Sequence, residues 1–138
     1  MMRPAIFVDT SAYVAVLRRD DEHHQDASSV MQALQRQRAT LVTTNFILAE
    51  TYGMLLRYLG PQAARAFLEG IDRSRATLMV RAEERDEREA RAILYRYTDK
   101  DFSLVDTISF AVMTRLGVTR AFTFDRHFEQ YGWQIVLP

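Results

Sequence analysis

The chain has 138 residues, 18 basic and 18 acidic side chains, 48% hydrophobic residues and no cysteine, the composition of one ordinary domain spanning residues 1–138. It excludes disulfides, thiolate nucleophiles and thiolate zinc sites, and a net charge of zero argues against holding phosphate backbones through bulk charge. No apolar run approaches the ~18 residues of a membrane span, and the run from Ala5 to Val8 is too short for a secretion signal, so a cytoplasmic protein without a membrane partner is expected.

Of the 18 basic residues only Lys100 is a lysine. Arginine forks phosphates and carboxylates, although a GC-rich coding bias produces the same composition. In chain order, Ala5-Ile6-Phe7-Val8 runs without a break into Asp9, Thr10 and Ser11. Such a run suits a strand buried on both faces, as in a parallel sheet. A helix from about Thr10 to Arg18 follows, then Asp20-Asp21-Glu22, whose charge favours a helix start. The next helix is predicted from about Glu22 to Arg38, with His23 and His24 in its first turn as exposed side chains rather than metal ligands.

Thr40 to Thr43 reads as a second strand, and Thr44 or Asn45 can cap a helix to Leu59 that Gly60-Pro61 ends. Steps of 100° place Leu48, Ala49, Tyr52, Leu55, Leu56 and Leu59 on its core face. Glu50 falls on the other side, beside Phe46, Ile47 and Met54. None of its neighbours at i±3 or i±4 is basic, so the usual surface ion pair is closed to it. Pro61 starts a helix to about Arg73, and Ala76 to Val80 is a third strand. A charged helix runs from Glu83 to about Thr98, with Ala90, Ile93, Leu94 and Tyr97 as its apolar stripe. Its arginines read as a solvated, ion-paired face. Ser103-Leu104-Val105-Asp106 has the form of a capping box for a helix to Leu116 and Gly117. Ala121-Phe122-Thr123-Phe124 leads into Asp125, repeating the strand-then-acid arrangement of the opening. A short helix from Arg126 to Tyr131 and a strand from Trp133 to Leu137 follow. Strands alternate with helices, without an internal repeat or linker, so the class is α/β with a mainly parallel sheet of roughly five strands.

Asp9, Asp106 and Asp125 each have a structural explanation as helix caps, but nothing local explains Glu50. At the carboxyl edge of a parallel sheet, where ligands bind, these four carboxylates would repel one another unless a cation neutralised them. Without cysteine or a well-placed histidine, oxygen ligands select Mg²⁺ or Mn²⁺. The chemistry that follows is metal-assisted hydrolysis of a phosphodiester.

Phe7-Val8-Asp9-Thr10-Ser11-Ala12, then Glu50, then Asp101-Phe102-Ser103-Leu104-Val105-Asp106, then Thr123-Phe124-Asp125-Arg126-His127-Phe128, together resemble the PIN-domain pattern. Within that family the chain is most similar to the VapC-type toxin ribonucleases of toxin–antitoxin pairs. The resemblance implies a three-layer α/β/α fold, Mg²⁺ or Mn²⁺ dependence, cleavage of RNA, a homodimer, and a small antitoxin partner. It assigns Asp9 and Asp106 as primary metal ligands, with Asp125 and Glu50 acting directly or through water. Ser11 and Thr123 match hydroxyls that orient the carboxylates or the substrate, and Asp101 is either a loop acid or an auxiliary one. Housekeeping PIN nucleases share this site, and a non-catalytic PIN-like binding module would be expected to have lost one of the acids.

Two rival α/β readings fit less well. A receiver-type phosphoacceptor needs a lysine at the end of its last strand, and Lys100 is elsewhere. A dehalogenase-like phosphotransferase needs an acid where Ser11 stands. For the homodimer, the flank of Phe46, Ile47, Met54 and Tyr58 is the candidate surface.

Overall fold

Every predicted strand and helix forms, and the boundaries show which side chains set them. The computed structural model describes residues 3–138. The elements are β1 (Ala5–Val8), α1 (Thr10–Leu17), α2 (His24–Arg36), β2 (Thr40–Thr44), α3 (Asn45–Leu59) and α4 (Pro61–Arg73), followed by β3 (Thr77–Val80), α5 (Glu84–Arg96), α6 (Leu104–Leu116), β4 (Arg120–Phe122), α7 (Arg126–Tyr131) and β5 (Gln134–Ile135). The five strands form one sheet in the order β3-β2-β1-β4-β5, and each neighbouring pair is parallel. Helices cover both faces of this sheet. Among the helices, α5 pairs with α6, while α1 packs on α2 and α3, and α3 on α4.

The apolar run that opens the chain lies at the centre. Ile6, Phe7 and Val8 are fully buried, as expected of a strand with neighbours on both sides and helices on both faces. From β1 the chain winds outward through β2 to β3, then returns to add β4 on the other side. The order therefore reverses between β1 and β4, and the crevice at their carboxyl ends is where such a sheet takes a ligand. The backbone closes there tightly, with the Asp9 amide donating to the Phe122 carbonyl at 3.1 Å.

Several expectations change in detail. Helix α2 begins at His24, and the acid in its first turn is Asp26; Asp21 belongs to the preceding turn, where it accepts from the His23 amide at 2.8 Å. The same helix ends before Arg38, which takes a left-handed φ of 53°. On α3 the buried residues are Ile47, Thr51 and Leu55, whereas Leu56 and Leu59 are 44% and 42% exposed. Thr51 turns inward because its hydroxyl has a buried partner, Thr10, at 3.2 Å, and that rotates the helix away from the expected face. One consequence concerns the proposed dimer flank. Ile47 is fully buried, Phe46 packs on Ala90, Ile108 and Val112, and the Arg18 guanidinium lies over the Tyr58 ring at 4.2 Å. Most of that flank is already used within the chain. Similarly, neither His23, which precedes α2, nor His24, which opens it, is free. His23 stacks on Phe124 at 4.4 Å, and a ring nitrogen of His24 meets the Ala15 carbonyl at 2.8 Å.

Candidate active site

Asp9 follows β1 directly and caps α1, its side chain accepting from the Ser11 amide. Its Oδ2 also accepts from the Ser11 and Thr123 hydroxyls, both at 2.9 Å. Each hydroxyl has a single proton, and its direction is set from behind. The Phe124 amide donates to Ser11 Oγ and the Asp125 amide to Thr123 Oγ1, again at 2.9 Å. With a lone pair of each hydroxyl filled, both O–H groups are turned onto Asp9. Oδ1 of Asp9 takes no hydrogen bond among the described residues. Ser11 and Thr123 thus hold the carboxylate by one oxygen and leave the other open.

Asp106 comes from the start of α6 through the expected capping box. Its amide donates to Ser103 Oγ, and its own Oδ2 accepts from the Ser103 amide, both at 3.0 Å. Asp125 caps α7 with Oδ1, which accepts from the His127 amide at 2.9 Å. The capping explanation is therefore correct for three acids, and it also explains why they are rigid. A cap fixes the carboxylate at the first turn of a helix that begins at the sheet edge.

The side chain that joins Asp106 and Asp125, though not Asp9, lies outside the four predicted carboxylates. His127 sets Nδ1 against Asp106 Oδ2 at 2.9 Å and Asp125 Oδ1 at 3.1 Å. Its Nε2 meets Asp101 Oδ1 at 2.9 Å. Asp106, Asp125 and His127 each bring one ligand atom within 4.8 Å of the other two, so a well-placed histidine does exist. The available signal was its position two residues after an acid that caps a helix, on the same first turn. Asp101 itself is 94% exposed at its side chain and reaches the cluster only through His127.

Electrostatics separate these groups. Burial pushes the Asp9 carboxyl up to about 7, against the pull of the Ser11 and Thr123 hydroxyls and with added repulsion from Asp106 and Asp125. Burial likewise raises Asp106, helped by Asp125 and opposed by the Ser103 amide and His127. For His127 burial acts downward, but the hydrogen bond to Asp101 and the charges of Asp125 and Asp106 outweigh it and raise its pKa. A carboxylate on either ring nitrogen asks both to donate. Glu50 stands apart. It is exposed on α3, and among the described residues it neither pairs with a base nor joins the Asp106–Asp125–His127 group.

The donor set suits a divalent cation on two counts. It has open carboxylate oxygens on rigid supports, and a buried aspartate that ionises reluctantly for want of a positive partner. A hard oxygen-seeking ion meets both needs, while His127, with both ring nitrogens turned to carboxylates, holds those acids rather than the ion.

Comparison with known proteins identifies the family. The PIN domain family model matches residues 6–134. The 23S rRNA-specific endonuclease VapC20 of Mycobacterium tuberculosis is 33% identical over 136 residues, covering 96% of this chain and 98% of its own. The crystal structure of that protein, described as a sarcin–ricin loop cleaving toxin, superposes with a TM-score of 0.88 at 32% identity, over 96% of this chain and 99% of the other. At the level of fold alone, FitAcB from Neisseria gonorrhoeae matches with a TM-score of 0.68 and 14% identity, covering 94% of this chain and 95% of that one. DNA-bound VapBC from Salmonella typhimurium matches with a TM-score of 0.68 and 16% identity, covering 98% of both chains. With the sheet order, the acids at the reversal point and these matches in agreement, the chain belongs to the PIN domain family.

Proposed function

We propose that this protein is a metal-dependent endoribonuclease, the toxin of a VapBC-type pair, acting through Asp9, Asp106, Asp125 and Glu50. The observation that carries the reading is the Asp9 carboxylate, buried at the β1–β4 reversal and held by Ser11 and Thr123 on one oxygen only. The whole chain, 1–138, acts as one nuclease domain in this reading. Ribosomal RNA is the first substrate to try, because the relative sharing 33% of its residues is a 23S rRNA endonuclease.

Asp9 and Asp106 would hold Mg²⁺ or Mn²⁺, with Asp125 beside them and Glu50 acting from α3 through water. Bound there, the ion supplies a water of lowered pKa and neutralises charge developing on the scissile phosphate. The chain's own contribution is positional. Ser11 and Thr123 fix the Asp9 carboxylate, the Ser103 amide and His127 fix Asp106, and the His127 amide fixes Asp125. Geometry held this firmly lowers the reorganisation needed in the transition state. A homodimer and a small antitoxin are the partners, and the cytoplasm is the compartment where such a toxin meets RNA. Among the described residues no helix is long and apolar enough to cross a membrane.

The test is to incubate purified protein with ribosomal RNA in Mn²⁺ or Mg²⁺ and in excess EDTA. Discrete fragments should appear only with metal; equal cleavage in EDTA would remove the metal from the reading. Expression of the intact chain alone should arrest growth. Harmless expression of a protein active in the tube would favour an RNA-processing nuclease over a toxin.

A further inference from the structure

The edge of the sheet opposite the acids carries a second cluster of charge, of the other sign. Because the strands are parallel, their amino ends all lie on that edge. Three adjacent strands begin two residues after an arginine: Arg3 before β1, Arg38 before β2 and Arg75 before β3. The register pairs Ala5 with Thr40 and Leu41 with Thr77. That sets Arg3 level with Arg38, and Arg75 one residue from level. With strands about 4.8 Å apart, the three form a row about 10 Å long. They line a cleft of about 260 Å³ together with Leu34, Thr40 and Ala76. Arg36 and Arg73 close the helices that lead into it, α2 and α4. The sequence in fact carries a short recurrence here, Arg36-Gln37-Arg38-Ala39-Thr40-Leu41 and Arg73-Ser74-Arg75-Ala76-Thr77-Leu78, which falls on two neighbouring strands.

Fold stability accounts for only part of this pattern. Arg36 and Arg73, in last turns, complement their helix dipoles. Arg3, Arg38 and Arg75 lie outside any helix and are exposed. Among the described residues the arginine ion pairs are made by Arg18, Arg85, Arg88 and Arg115, none of them on this edge. Asp72, the acid in the last turn of α4, pairs with none of the row. Arg38 also occupies a left-handed position, φ 53°, at a helix end where the Ala39 amide returns to the Leu34 carbonyl at 3.0 Å. Glycine is the strain-free residue there, so the arginine is present at a conformational cost. On the other side of β1, level with Ile6 and three residues in from Arg3, Arg120 at the start of β4 leaves its buried Nε without a hydrogen-bond partner among the described residues.

We propose that Arg3, Arg38 and Arg75, around this cleft, form an anion-binding ledge that holds the phosphate backbone of a folded RNA away from the point of cleavage. The partner class rests on the ribonuclease reading above; the ledge itself rests on the arginine row. A line of unpaired guanidinium groups at strand spacing suits successive phosphates. The ledge lies about 20 Å from Asp9 along β1, so a short fragment in the acidic cleft would not reach it. A folded RNA lying against both edges would.

The experiment uses full-length protein carrying Asp9→Asn, so that RNA stays intact, with and without Arg38→Gly plus Arg75→Ala. Replacing Arg38 by glycine relieves the left-handed backbone, so the double change should melt no lower than its parent. Binding of a fluorescein-labelled RNA stem-loop is followed by anisotropy across a KCl series. The ledge variant should bind about tenfold more weakly, with the slope of log K against log salt smaller by about 1.5. In the background with Asp9 intact, the same two changes should slow cleavage of the stem-loop and leave cleavage of a short unstructured RNA unchanged. Affinity and slope within about twofold of the parent would overturn the proposal. So would loss of binding to polyglutamate with RNA binding intact, which would make the ledge a site for acidic protein segments. If the intact protein cuts no RNA in Mn²⁺ while the ledge variant still loses stem-loop binding, the nuclease reading fails and the ledge stands.

Discussion

Asp9 and Asp86 are both buried aspartates at the start of a helix, and they fare differently. Asp86, at the start of α5, is 2% exposed and Asp9 is 4% exposed. Both take part in capping, and burial presses both pKa values upward. Asp86 faces Arg115 of α6, whose Nε and terminal nitrogen fork its two oxygens at 2.9 and 2.8 Å. That pair, with the Glu83 amide, more than offsets burial and leaves Asp86 below the ordinary carboxylate range. Asp9 receives two neutral hydroxyls on one oxygen and no cation, and it rises to about 7. A buried acid completed within the chain is structural. One left incomplete, at the reversal point of a parallel sheet, calls for its positive charge from outside.

The largest expected effect breaks the comparison from the Asp9 side. Asp9→Asn should lower RNA cleavage at least about a thousandfold, since the open oxygen is lost while the shape is kept. The metal-free variant should melt above the parent at pH 8, because a charge is no longer forced into a buried site. A variant that unfolds instead would make Asp9 a structural acid like Asp86. On the other side, Arg115→Met should cost about 3–5 kcal/mol by leaving Asp86 charged and alone. For a chain of this size that is a drop of roughly 10–17 °C in melting temperature. Cleavage per folded molecule should stay near the parent value, and adding Asp86→Asn should recover part of the loss.

The legible and illegible parts of this chain divide along the same line. Ala5 to Val8, the Thr44 cap, the Ser103–Asp106 box and the Gly117 stop are written within a few residues of one another, so the elements could be placed before their packing was known. Asp9 and Asp125 were visible for the same reason, as acids directly after apolar runs. His127 was not singled out, because its meaning lies in Asp101 and Asp106, more than twenty residues away. The Asp86–Arg115 pair spans 29 residues and looks in sequence like two more charges on a solvated face. The orientation of α3 went astray for a related reason, since Thr51 is turned inward by a hydroxyl on α1. Local signals establish elements and caps; contacts between elements decide which charges are satisfied.

A third test sharpens the comparison through pH. Asp9 holds its proton in the folded state to about pH 7, whereas the unfolded carboxyl releases it near 4. Between those values the folded chain binds more protons, so metal-free stability should fall as pH rises. This one group contributes about 4 kcal/mol across that window. The raised pKa of His127 acts in the same sense, its contribution fading as pH rises through the folded value. Asp86 acts oppositely, losing its contribution only as pH falls below the ordinary carboxylate range. Melting temperature without metal should therefore peak on the acid side of neutrality. Mn²⁺ should raise it more at pH 8 than at pH 5; an equal shift at both would mean the ion does not sit on Asp9.

The smallest effect separates a charge partner from a hydrogen-bond partner. Ser11→Ala removes one of the two hydroxyls on Asp9 Oδ2 and leaves Thr123 in place. The loss of one such bond is worth about 1–2 kcal/mol, so cleavage should slow about tenfold and the melting temperature should fall by about 3–7 °C. If Ser11 acts by holding the Asp9 carboxylate, the cost must vanish once that carboxylate is gone. Metal binding measured by calorimetry should then weaken on Ser11→Ala in the parent and change no further in the Asp9→Asn background. An undiminished loss in both backgrounds would assign Ser11 a contact with the metal that does not run through the acid. Asp86 offers the control, because Ser11 is not among its partners and the two changes should add.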